Sequence, residues 1–202
     1  MITGSEEESR ALMMNAAVRI VAKYGFEGFT TKKWAAEAGV AEGSLYYHFK
    51  GKHDLLNETF FMIDREVAAL YTEEDIFPED REERMRFVEE LWSRYYAYLL
   101  NNPEKTLYYY RFRTSPRYTD GLQKEQLSVY NWFLSMLAMI RSSLELDEHF
   151  ARHVVWCYVL DATTALAFRV ITGGVQHTEE TQRQIVRLMM QGLIGVMEEK
   201  QQ

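Results

Sequence analysis

The residues from Thr30 to Lys52, TTKKWAAEAGVAEGSLYYHFKGK, combine side chains that bind anions with side chains that keep a backbone accessible. Two short helices need small residues where they cross. Ala35 stands where that crossing falls, and Gly39 permits the tight turn that a helix-turn-helix requires. Leu45 and Phe49, one helical turn apart, form the inner face of the second helix. That leaves Glu42, Gly43, Ser44, Tyr46, Tyr47 and His48 around its open end and outer faces. Gly43 and Ser44 are small enough for DNA to approach closely, and the free N–H groups and dipole of a helix start favour phosphate. The implied chemistry is recognition rather than bond making. No nucleophile–base pair, metal-ligand spacing or phosphate loop is legible elsewhere. His149 and His153 share a helix face but lack the glutamate of an H-E-x-x-H arrangement. An enzyme built on a helical bundle is therefore the weaker alternative, and neither a metal nor a cofactor is expected.

The elements that must position this stretch are helical. Of 202 residues, 47% are hydrophobic, enough for a packed core, while only 11 glycines and 3 prolines argue against a β-rich chain. Apolar periodicity with cap and stop residues predicts nine helices, near 5–24, 31–38, 42–49, 52–71, 81–100, 104–113, 117–144, 147–172 and 178–199. In the first, Leu12, Met13, Ala16, Ala17, Ile20 and Val21 form the stripe to be buried, and Phe26 and Phe29 should pack beneath the following helix pair. The fold class is all-α. A three-helix module containing the helix-turn-helix occupies residues 1–51, and a larger helical bundle occupies 52–202.

The net charge of −7 by itself opposes DNA binding. It is unevenly divided: residues 1–52 carry a net +1 and the remainder −8. Affinity should then rest on a few well-placed contacts rather than on a general basic surface. The single cysteine, Cys157, excludes an internal disulfide and fits a reducing cytoplasm. The acidic start MITGSEEESR does not read as a signal peptide, and no uncharged apolar run is long enough to span a membrane.

The pattern G-F-E-G-F-T-T-K-K-W-A-A-E-A-G-V-A-E-G-S-L-Y-Y-H-F-K-G-K-H-D-L-L, residues 25–56, resembles the DNA-binding module of TetR-like transcriptional repressors. The resemblance implies that Thr31 and Lys32 contact backbone or base edges, and that Glu42, Gly43, Ser44 and Tyr46 lie against bases. It implies that Tyr47 and His48 hydrogen-bond phosphates and that Lys52 binds another. Two positions depart from the pattern. Ala41 replaces a frequent serine or threonine cap, which should cost about 1 kcal/mol at the helix start. Trp34 is bulkier than the usual aliphatic residue. The bland alternatives are that Tyr46 and Tyr47 are core, that His48 caps or packs, and that Lys32 and Lys33 form a solvated face. His48 and His53 lack a third metal ligand nearby.

Beyond this module, aromatic residues crowd between Trp92 and Trp132. Such side chains either fill a core or surround a cavity for a planar or greasy ligand. Candidate ligand contacts are Trp92, Tyr96, Tyr109, Phe112, Phe133, Trp156, Asp161, Thr164 and Phe168, with Asp161 a carboxylate in an apolar run that needs a partner. The last two helices, with Ala162, Ala165, Gly192 and Gly195 beside Val159, Ile185, Leu188 and Met189, read as a homodimer surface. Two-fold symmetry would demand a palindromic operator with half-sites about 34–36 Å apart or a multiple of it. The expected protein is a homodimeric regulator, a repressor, that binds double-stranded DNA and releases it on binding a small-molecule effector. A binding protein that kept this fold but lost operator recognition is the other alternative.

Overall fold

The computed structural model describes residues 4–72, 78, 80–130 and 157–198. Every regular element among them is helical: α1 (Gly4–Tyr24), α2 (Thr31–Ala38), α3 (Ser44–His48), α4 (Lys52–Ala68), α5 (Arg81–Asn101), α6 (Pro103–Arg113) and α7 (Asp120–Val129). A π-helical turn at Cys157–Asp161 runs into Ala162–Ile171, together α8, and α9 is Glu179–Glu198. The fold class expected from the sequence is the one observed.

Two compact units divide the chain, one of residues 1–66 with 102–122, the other of 67–101 with 123–202. In the first unit α1 buries Met13, Ala16, Ala17, Ile20 and Val21, while Leu12 stands 65% exposed. Its buried face thus includes Met14 and Val18 rather than Leu12, a rotation of the expected stripe. Gly25 closes α1 at φ 70, a left-handed conformation that glycine adopts without strain. Phe26 and Phe29 are buried as expected. The centre of this unit is aromatic: Phe60 of α4 stacks on Phe112 at 4.5 Å and on Tyr109 at 5.3 Å, and Phe26 meets Tyr108 edge-on at 5.6 Å.

In the second unit Trp92 stacks on Tyr96 at 4.8 Å. Its indole N–H donates to Thr163 Oγ1 at 2.8 Å, and the Tyr95 hydroxyl lies 2.6 Å from Thr164 Oγ1. These bonds tie α5 to α8 and satisfy polar tips that burial would otherwise leave costly. From α9, Val186 and Met189 enter the same core, and Leu188 is exposed.

Several boundaries differ from expectation. α3 is five residues long rather than spanning 42–49, since Gly43 at its N-cap position makes no side-chain capping bond. α4 stops at Ala68, where the N–H groups of Leu70 and Tyr71 turn back to Val67 and Ala68 carbonyls. α7 starts at Asp120, after a turn through Ser115 and Tyr118. The expected helical residues 130–144 and 147–156 lie outside the described helices: Tyr130 is not helical, and 131–156 fall outside the described residues.

Candidate nucleic-acid interface

The helix pair is built as its spacing requires. Thr30 caps α2, its Oγ1 accepting the Lys33 N–H at 3.2 Å. Gly39 ends α2 at φ 70, and the amides of Gly39 and Val40 return to the carbonyls of Ala36 and Ala35, closing the helix in a Schellman arrangement. Ala35 is buried at the crossing, and Trp34 is wholly buried, its indole N–H donating to Met13 O at 2.9 Å. The bulk at position 34 therefore fixes α2 to α1. Leu45 and Phe49 are buried, so α3 is pinned by its inner face.

That pinning aims the rest of α3 outward. Tyr46 is 73% and Tyr47 78% exposed, so neither is core. Gly43 has φ −64, open to any residue, and a Cβ built there meets nothing within 4 Å. The protein's own packing gives no reason for glycine at that position; close approach by an outside partner would. Glu42 is exposed and accepts from Thr31 Oγ1 at 3.4 Å, linking the starts of the two helices. Ser44 and His48 are half-buried, and His48 meets Tyr47 edge-on at 4.8 Å with its Nδ1 buried and without a hydrogen-bond partner among the described residues. Lys32 is exposed. Lys52 is half-buried: its Nζ donates to Phe29 O at 2.7 Å and lies 5.0 Å from the Phe29 ring centre. Burial, followed by the neighbouring Arg117 charge, lowers its pKa from the ordinary lysine value. All nine sequence-derived DNA-contact candidates thus lie in one compact unit.

Sequence reasoning missed the support around α3. Arg10 of α1 donates to the His48 carbonyl, its guanidinium sits 4.4 Å from the Phe49 ring centre, and it pairs with Glu58 at 3.7 Å. Arg19 pairs with Glu37 to fasten α2. No local pattern marks either arginine.

The described candidate ligand contacts fall in two cores. Tyr109 and Phe112 are packed in the core of the first unit, against Phe60, whereas Trp92, Tyr96 and Thr164 are buried in the second. Asp161 and Phe168 are half-buried on α8, and Phe133, Trp156, His149 and His153 lie outside the described residues.

Residues 13–59 match the family model for bacterial regulatory proteins of the tetR family. The chain carries a tetR-family module. Curated relatives align with this region: the HTH-type transcriptional regulator AcrR of Shigella flexneri is 31% identical over 67 residues, 33% of this chain and 31% of that protein. The fatty acid metabolism regulator protein of Bacillus subtilis (strain 168) is 40% identical over 48 residues, 24% of this chain and 25% of that protein. The match spans under a third of either curated relative's length. Over most of the chain the fold is that of solved TetR-family regulators. One from Marinobacter aquaeolei VT8 superposes with a TM-score of 0.76 at 20% identity, covering 92% of this chain and 95% of that one. The regulator FadR from Bacillus subtilis, solved with stearoyl-CoA, gives 0.65 at 18%, covering 90% and 98%. These relatives are named as regulators, not enzymes. Among the described residues no helix is long and apolar enough to cross a membrane.

Proposed function

We propose that this chain is a ligand-responsive transcriptional regulator, a repressor, that binds a palindromic DNA operator as a homodimer. Residues 1–51 carry the reading head, and 52–202 serve effector binding and dimerisation. The observation that carries the reading is the outer face of α3: Tyr46 and Tyr47 exposed on a helix whose inner face is locked, next to a Gly43 that the fold does not require. In this reading Gly43, Ser44, Glu42 and Tyr46 face bases, and Thr31, Lys32, Tyr47, His48 and Lys52 hold backbone. Dimerisation would use α8 and α9, where Leu188 is 68% exposed on a helix that buries Val186 and Met189. The effector is a small molecule bound within residues 52–202, whose binding disfavours the DNA-competent state; by linkage, operator DNA weakens effector binding by the same factor.

The test is binding to the DNA upstream of the protein's own gene at two salt concentrations, beside a Tyr47→Ala, Lys52→Ala double variant. Wild type should protect a palindrome and the variant should not. Equal weak binding by both, without protection, would sink the proposal and favour a binding protein that kept the fold but not operator recognition.

A further inference from the structure

We propose that Arg117 and His53 extend the phosphate-gripping edge of the reading head, so that one DNA backbone phosphate is held jointly by Lys52, His53 and Arg117. The inference rests on the DNA-binding reading above and adds a contact from outside the helix-turn-helix.

Arg117 lies in the turn after α6, some sixty residues along the chain from the start of α4. It nonetheless belongs to the same compact unit, and its Nη1 lies 3.3 Å from His53 Nδ1. An aromatic ring and a turn position it rather than a carboxylate: the guanidinium sits 5.2 Å from the Phe26 ring centre, and its backbone N–H donates to Ser115 Oγ at 3.2 Å. Among the described residues no carboxylate is ion-paired with Arg117 or Lys52. The nearby acids are committed or peripheral. Asp54 accepts the Lys50 N–H at 2.8 Å, and Glu27 acts on Lys52 only as a minor charge, outweighed by burial and by Arg117. Arg117 beside His53 and Lys52 at the preceding residue put two positive charges at the start of α4, where the Arg117 charge lowers the Lys52 pKa and an incoming anion would be favoured.

The donor set suits phosphate. A guanidinium fork matches phosphate oxygens, and Lys52 has N–H groups left after its bond to Phe29 O. When Arg117 donates to Nδ1, the neutral His53 ring carries its own N–H on the opposite nitrogen, directed away from Arg117 and available to a second oxygen of the phosphate. The competing role for Arg117 is purely structural, a cover over Phe26.

Salt dependence separates the two. Binding of the wild type, Arg117→Gln, Arg117→Lys and His53→Glu proteins is measured across a salt series, with the duplex upstream of the protein's own gene and with a random-sequence duplex. Each phosphate contact adds roughly 0.9 to the slope of log K against log salt. Arg117→Gln should lower the slope by about one and weaken both duplexes by the same factor, while Arg117→Lys keeps most of the slope. His53 is exposed, so His53→Glu tests the site without disturbing the core; it should lower the slope too. If wild type binds and both Arg117→Gln and His53→Glu keep its slope, the inference fails and the function proposed above stands. If wild type binds neither duplex, both fail. Should Arg117→Gln not fold, the His53→Glu slope decides alone.

Discussion

Tyr46 and Tyr47 on α3 and Tyr108 and Tyr109 on α6 are adjacent pairs of one residue type in one unit, yet the fold treats them oppositely. The α6 pair is buried among Phe26, Phe60 and Phe112, with each hydroxyl matched inside: Tyr108 donates to Leu56 O and Tyr109 to Asp64 Oδ1, both at 2.7 Å. The α3 pair is left in the open. What distinguishes them is the partner for the phenol. A buried tyrosine needs an acceptor supplied by a distant element, whereas an exposed one keeps its hydroxyl for water or for a bound molecule.

Phe60→Ala should sharpen this contrast most. Removing the ring on which Tyr109 and Phe112 stack should cost about 3–5 kcal/mol in urea unfolding; a loss below about 1 kcal/mol would mean the aromatic centre is not load-sharing. Next comes Tyr108, whose phenol burial holds well above its ordinary pKa. Above pH of about 10 the unfolded chain releases this proton while the folded one keeps it, so the unfolded state binds fewer protons and stability falls as pH rises. This group's share of that fall is at most about 1.4 kcal/mol per pH unit. Tyr108→Phe should therefore be less stable by about 1 kcal/mol near neutrality but decline less steeply in alkaline melts. An unchanged alkaline slope would contradict the buried assignment. The smallest effect belongs to Tyr46→Ala, expected to change unfolding free energy by no more than about 0.5 kcal/mol; a larger loss would show that Tyr46 is structural.

How far the sequence could be read follows the range of the forces involved. α2 was legible at both ends because its determinants are local: a threonine that caps and a glycine that takes φ 70. α3 was legible in its facing, since Leu45 and Phe49 are one turn apart, but not in its length, because a start without a side-chain cap carries no boundary signal. The aromatic segment was legible as apolar but not in how its rings divide between two cores. Which ring stacks on which depends on contacts between elements tens of residues apart, as between Phe60 and Phe112. The same limit hid Arg10, whose partners are His48 O and Phe49, and the return of residues 102–122 to the unit that contains the helix-turn-helix.

That return passes through Arg111. Its Nη1 donates to the carbonyls of both Val21 and Ala22, the latter at 2.8 Å, so a side chain of α6 closes the negative end of α1. The consequence is one of modularity. A graft that moves residues 1–51 onto another regulator's body leaves behind the guanidinium that finishes the first helix, along with the aromatic floor formed by Tyr108 and Phe112. An exchangeable reading head in this protein is consequently discontinuous. Its recipient must already offer an arginine and an aromatic surface in register, or residues 102–122 must travel with the head.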